Sequence, residues 1–546
     1  MKRVLLSTVI GIFLSFNLSA QCSEDEKTKV LLVGDSWAFF MGVDGTINNV
    51  FNRWGHSDAK FFTDPVIAEN GAQTKDFLKQ DKLDAIENRL NEDEDIEYVH
   101  LSIGGNDFLG QWDINFTEQE TEDLKVQVLD SIVLIIDQIK SFKPDVKIVW
   151  SGYTYSNFEE IITNSFLQSS HPFYSTWEGM GYPDNETVNE VLNDFSYAML
   201  DYCEATDNVD FIMATGLMQY TYGQENSLEV APFGTYQPFT APLPEGYLDY
   251  PSPKNSMRDY GVTLDCFHLS GKGYRDLISY HTQKYYHKEL MSDAYVLASD
   301  DNKTGSVSDL GTVSPDLICG EANGEEFATI LNFPTSQYLD STAVEASIFL
   351  RREEQTGDNP IHDSLLIKVK FNYFGDNPEI EEDDFYTVAS EEAEPCIFGA
   401  NTDENWVRID LPEELAYYIS GDYDVQFMIT SPDSEGAQVK FTDASDPDFA
   451  PVLDVTYGES PFANTKVVEK TEAKISLYPN PASDFVEIRT ENFDIQTITL
   501  FDISGKTIST EGKVDKINVA SLKPGAYFVK VQGENGGLVT KKLIKR

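Results

Sequence analysis

Basic residues are scarce in this chain of 546. Forty Lys and Arg stand against 92 Asp and Glu, a net charge of −52. So acidic a surface repels phosphate backbones and anionic lipid, which excludes nucleic acid and membrane surfaces as partners. Long apolar runs are also missing. The one run of note, Val4 to Phe16, spans 13 residues, whereas crossing a bilayer takes about 20. No later stretch is apolar enough, so no transmembrane segment is expected. Cysteines number five. With Cys22 set aside, four remain that an exported chain can oxidise, and Cys203 with Cys266 or Cys319 with Cys396 is each able to close a loop.

What is present is globular material. Hydrophobic residues make up 41% of the chain and aromatics 12%, and the length suggests about three domains. The start, Met1-Lys2-Arg3 followed by the short apolar run and Ser19-Ala20, reads as a signal peptide over residues 1–20. Cys22 raises a lipoprotein alternative, but Gln21, and not the cysteine, follows the small residue. Export through the periplasm to the cell surface or medium is the expectation.

Charge divides unevenly. Residues 461–546 hold 13 basic and 10 acidic side chains, a net of +3, while the preceding 460 hold 27 against 82, a net of −55. A solvated acidic coat accounts for this. Loops such as Asp443-Ala444-Ser445-Asp446-Pro447-Asp448 leave structural calcium open, although their spacing matches no calcium loop closely. No cofactor is expected.

Texture marks the domains. Over residues 24–295, strand-like runs (KVLLVGD, EYVHLSIGGND, VKIVWSG, VDFIMA) alternate with helical patterns at Thr121 to Ile139 and Glu186 to Cys203. That alternation predicts βαβ units and a parallel sheet with helices on both faces. Over residues 296–458, period-two runs such as ASIFLRR, LLIKVKFNYFG, WVRIDLP, YDVQFMIT and PVLDVTYG predict an all-β sandwich or jelly roll. A charged linker is expected at 459–473, and a small β-sandwich at 474–546.

Chemistry concentrates in the first domain. Ser36 ends the first strand in Gly34-Asp35-Ser36-Trp37. Gly71 lies in GAQT, Gly104-Gly105-Asn106-Asp107 closes the strand from Tyr98, and Asp265-Cys266-Phe267-His268 precedes a helix near Ser270. A serine hydroxyl needs an adjacent base, which His268 supplies, and Asp265 is placed to fix the imidazole tautomer. The N–H groups of Ser36 and Gly71 and the Asn106 amide are candidate donors to an oxyanion. No second histidine sits at metal-ligand spacing.

This ordered set resembles the SGNH (GDSL-like) hydrolase superfamily over Lys29 to about Tyr295. The resemblance implies a flavodoxin-like three-layer α/β fold. It also implies Ser36 as nucleophile, Asp265 and His268 as its triad partners, and Ser36, Gly71 and Asn106 as the oxyanion hole. Trp37 replaces the family's usual leucine. The aromatic segment 151–262 exceeds what a minimal member needs and is expected to be an insertion serving as lid or substrate wall.

The C-terminal phrases ISLYPNPASDFVEIR, LFDISGKTI, LKPGAYFVKV and KKLIKR resemble the sorting domain of type IX secretion substrates. They imply that secretion machinery as a partner. The middle domain is similar to jelly-roll modules beside carbohydrate-active enzymes, and Tyr373, Phe374, Tyr386, Trp406 and Tyr417 are its candidate sugar platform. The expected activity is that of a secreted serine esterase working through an acyl-enzyme on carboxylic esters, acylated polysaccharide among them. Two alternatives stand beside it: a surface carbohydrate-binding or adhesion protein with a degenerate hydrolase domain, and a lipase-like esterase acting on lipids.

Overall fold

The computed structural model describes residues 26–223, 246–247, 250–457 and 474–545, except 340, 362–364, 371–372, 400–401, 433, 479, 481, 492–494, 503–506, 524 and 534–537. The expected signal peptide, Cys22 and the linker 459–473 lie outside the described residues.

Five strands form the first sheet: β1 (Lys27–Gly34), β2 (Ala59–Phe62), β3 (Tyr98–Ser102), β4 (Lys147–Ser151) and β5 (Val209–Ile212). All pair in parallel, in the order β2-β1-β3-β4-β5. This is the flavodoxin-like order, in which the chain reverses its direction of winding between β1 and β3 and ligands bind beyond the strands' carboxyl ends. Val30 to Val33 are wholly buried, as a strand covered on both faces requires.

The helices gather in two groups. Helix α1 (Ser36–Gly42), α2 (Thr46–Arg53) and α6 (Gly271–His281) pack together, and α3 (Gln80–Glu92), α4 (Glu118–Phe142) and α5 (Asn185–Glu204) form the other group. The expected helix from Thr121 starts earlier because Thr117 and Glu120 build a capping box. Thr117 Oγ1 accepts from Glu120 N (3.2 Å) and Glu120 Oε2 accepts from Thr117 N (2.8 Å), worth about 1 kcal/mol. Leu124, Val128, Ile132, Ile135, Ile136 and Ile139 form its buried stripe.

Part of the stretch 151–262 belongs to the scaffold: α5 and β5 fall inside it, and β5 is a strand of the main sheet. Among the described residues, the segments flanking them stand outside the main sheet. Aromatic richness had suggested a single insertion, yet Phe195 and Tyr155 are core residues.

The middle region is one antiparallel system of 13 strands. Its strand Ala294–Leu297 pairs with Val452–Thr456, so it begins just before residue 296. Strand Glu345–Thr356 pairs first with Trp406–Asp410 and Val452–Thr456, then past an irregularity at Arg352/Glu354 with Gln438–Phe441. One strand thereby serves two sheets, turning the corner at a bulge.

Several expectations are corrected here. Cys203, Cys266 and Cys319 are buried free thiols, so neither proposed pairing holds; Cys396 is disulfide-bonded, and not to Cys319. The five aromatics do not form a platform. Phe374 is core, and Trp406 is buried where the two regions meet, stacked on Trp54 at 5.7 Å. In the acidic loop, Asp443 accepts from Ser445 N and Asp446 from Asp448 N and Phe449 N. These carboxylates hold their own turns.

The last region has two antiparallel sheets, of three and four strands, around its own core of Val486, Ile488, Leu500, Val529, Val531 and neighbours.

Candidate active site

Strand β1 runs so close to β3 that a Cβ on Gly34 would lie 1.9 Å from the Ser102 carbonyl oxygen. Only glycine allows that approach. The next residue, Asp35, caps α1 by accepting from Trp37 N at 2.9 Å. Ser36 therefore occupies the first helical position, where its N–H has no intrahelical acceptor.

A hairpin brings the other partners. Strand β6 (Met257–Tyr260) pairs with β7 (Thr263–Leu269) outside the main sheet, and β7 carries Asp265 to His268. His268 Nε2 lies 2.7 Å from Ser36 Oγ, and its Nδ1 lies 2.9 Å from Asp265 Oδ2. The other Asp265 oxygen accepts from Phe267 N and His268 N, both at 2.9 Å. Asp265 is fully buried and His268 is 8% exposed. Two segments far apart in sequence thus form one hydrogen-bonded line, with the carboxylate locked by backbone.

The hairpin itself is braced. His171 Nδ1 accepts from Phe173 N (3.2 Å), so its proton sits on Nε2, which donates to the Leu264 carbonyl at 3.0 Å. Asn157 N donates to the Cys266 carbonyl at 2.8 Å.

The Gly71 loop is tied to β1, because Gly34 N donates to Ile67 O and Glu69 N to Gly34 O, both at 2.9 Å. Gly71 has φ +82°, and a Cβ there would meet open space. The glycine is needed for its left-handed backbone, and steric approach is not the reason. Its N–H makes no hydrogen bond among the described residues. Asn106 Nδ2 donates to Ala72 O at 2.9 Å, leaving its second amide hydrogen available. Asp107 accepts from Thr74 N (2.9 Å) and Thr74 Oγ1 (2.8 Å), stapling GGND to GAQT.

Tyr153 was missed in the sequence. Its hydroxyl donates to Asp35 Oδ2 at 2.6 Å and accepts from Gly105 N at 2.8 Å, joining the Ser36 turn to the Asn106 turn. Burial pushes the Asp35 carboxyl up to about 6, against the lowering pull of its Tyr153 and Trp37 bonds. The signal lay in position, since Tyr153 follows the carboxyl end of β4. Trp37 fills the core against Tyr153, Phe267 and Tyr274, with ring centroids 5.1 to 5.6 Å away. Among the described residues no group of three or more His, Cys, Asp or Glu is arranged to hold a metal ion.

Residues 30–280 match the family model described as GDSL-like Lipase/Acylhydrolase. That match falls within the first domain, which thus carries a GDSL-like lipase/acylhydrolase segment. Residues 476–546 match the secretion system C-terminal sorting domain, of the type IX kind, which indicates delivery to the cell surface or beyond. No curated protein matches the chain. Among solved structures it is similar to a Clostridium thermocellum family 3 carbohydrate esterase, at 17% identity over 48% of this chain and 99% of that one, TM-score 0.26. A lipase from a goat rumen metagenome matches at 11% identity over 48% and 98%, TM-score 0.28. A gut microbial diltiazem-metabolizing enzyme matches at 10% identity over 69% and 66%, TM-score 0.32. Likenesses this distant carry no functional argument.

Proposed function

We propose that the protein is a secreted serine esterase that cleaves carboxylic esters through an acyl-enzyme on Ser36. The line Ser36 Oγ–His268–Asp265, at 2.7 and 2.9 Å, carries this reading. Ser36 Oγ attacks the ester carbonyl carbon while its proton passes to His268 Nε2. The imidazolium keeps its Nδ1–H on Asp265, whose other oxygen is held by two backbone N–H groups. The tetrahedral oxyanion takes hydrogen bonds from Ser36 N–H, Gly71 N–H and the free hydrogen of the Asn106 amide. On collapse, His268 returns the proton to the departing alkoxide, leaving Ser36 acylated. Water, deprotonated by His268, then attacks the acyl carbon, and the same proton passes to Ser36 Oγ as its bond to that carbon breaks and the acid leaves.

The acyl group and the alcohol, acylated carbohydrate included, belong to the same proposal. So does the route through the periplasm to the type IX machinery. The test is pre-steady-state hydrolysis of 4-nitrophenyl acetate by the full mature chain. A burst of one nitrophenolate per Ser36 is expected, and Ser36→Ala should lose it along with at least ~10³ of kcat at an unchanged melting temperature. Undiminished turnover in that variant would remove the nucleophile assignment.

A further inference from the structure

Beside the triad stands a cation with no counterion among the described residues. Arg258, half-buried on β6, places its guanidinium carbon 4.3 Å from the Phe40 ring centroid and 5.8 Å from that of Tyr260. Phe40 in turn packs edge-on against the His268 imidazole at 5.1 Å. Phe173 closes the rim, 6.0 Å from His268 and 6.4 Å from Tyr260. Arg258 makes neither a hydrogen bond nor an ion pair among the described residues.

We infer that Arg258 selects esters bearing a carboxylate close to the scissile bond. This deepens the esterase reading and rests on it. Stacking uses the flat face of a guanidinium and leaves its in-plane N–H fork free for a planar, bidentate acceptor. A charge pinned against aromatic rings and partly out of water also interacts more strongly than one in bulk solvent. The two ring contacts keep it within about a Debye length, ~10 Å, of the imidazole. The acidic coat gives no general attraction for anions, so a preference for them must come from this local cation. It favours one carboxylate on a small group over a polyanion.

The experiment uses the full mature chain and three acetates of one leaving-group family: phenyl, 3-carboxyphenyl and 3-(trimethylammonio)phenyl. A second arm places the carboxylate on the acyl side, comparing monophenyl succinate with phenyl butyrate. Rates are corrected for each ester's reactivity toward hydroxide. In at least one arm, kcat/KM for the anionic ester should exceed that of its uncharged or cationic counterpart by about tenfold, in line with a charge-assisted bidentate bond. Arg258→Gln should collapse that ratio to near one, and Arg258→Lys should restore part of it. An unchanged ratio in Arg258→Gln, or no charge preference in either arm, would overturn the inference. Calorimetric binding of 3-hydroxybenzoate against 3-hydroxybenzamide to Ser36→Ala, with and without Arg258→Gln, reads the same preference without turnover. A failure of the serine mechanism alone would leave that binding difference in place.

Discussion

His268 and His56 are both buried imidazoles in the first domain, and they differ in what their ring nitrogens meet. His268 has a hydroxyl on one nitrogen and a carboxylate on the other. Among the described residues the His56 ring nitrogens meet the ring of His287, with Nε2 and Nδ1 2.9 Å apart, where the first domain meets the antiparallel region. Around it lie Phe349 at 5.2 Å and, beyond His287, Trp406 at 4.4 Å from that ring. Without an anion to receive its charge, burial drives His56 down to about 3, with the Arg408 charge adding to the effect. In the proposed mechanism the same side chain carries a proton where a carboxylate faces it, while burial among aromatics favours the neutral ring at His56.

The sharpest way to break this comparison is to remove each ring in turn. His268→Gln takes away the proposed base and, if Ser36, His268 and Asp265 act as a triad, should cost about 10³–10⁴ in kcat. His56→Gln retains a hydrogen-bonding side chain facing His287 and should leave kcat within a few-fold while lowering the melting temperature. Steady-state assays with thermal scans on both variants decide it. Comparable losses of kcat would show that the junction and the triad are one functional unit.

How far these roles could be read beforehand depended on whether a residue's meaning is local. The runs at Val30 to Val33 and Tyr98 to Leu101 announce buried parallel strands, and the ordering of Ser36, Asn106 and His268 announces a site. Tyr153 was not legible, because its role depends on the register of β4 against β3, which places its hydroxyl between Asp35 and Gly105. Trp406 misled for a similar reason. A tryptophan on a period-two strand has the same pattern whether it faces solvent or, as here, another domain's Trp54. The free thiols follow suit: Cys203 lies on α5 and Cys266 on the hairpin, each packed into the core.

A subtler probe of the comparison is acid. His56 is held near 3 when folded but titrates near its ordinary 6.5 when unfolded. Between those values the unfolded chain binds a proton that the folded chain does not. The stability contributed by the neutral ring is therefore present above pH 6.5 and lost as pH falls toward 3. His100, likewise near 3 through burial, acts in the same direction. Asp35 and Asp454, both raised to about 6 by burial, act in the opposite direction, since their protons favour the folded state as pH falls from 6. The informative quantity is thus a difference between chains. The unfolding free energy of His56→Gln, followed from pH 6.5 to 4, should fall less steeply than wild type by up to about 1.4 kcal/mol per pH unit, one proton's worth. Parallel slopes would mean that His56 is already protonated in the folded protein.

The smallest expected effect on catalysis comes from the largest deletion. Residues 476–546 match a sorting domain, and the segment 473–546 that contains them carries a net charge opposite to the rest of the chain. Their core, from Ala482 to Leu543, is a separate cluster that includes no residue of the other domains. A contact toward the middle region is the half-buried Lys530 over the exposed Tyr417 ring at 4.6 Å, and a single contact of this kind contributes little. Every group placed in the candidate site lies between Asp35 and His268, held by bonds internal to the first domain. Domains joined by few contacts keep their own folds when separated. Deleting 473–546 should therefore leave kcat and KM within about twofold of the full chain, while His56 and Trp406 stay buried at the other junction. In a host with type IX secretion the same truncation should hold the enzyme in the periplasm, read by assaying periplasmic, surface and medium fractions. Wild-type activity in the medium would deny the tail its sorting role. A large loss of kcat in the purified truncation would show instead that the third region supports the site.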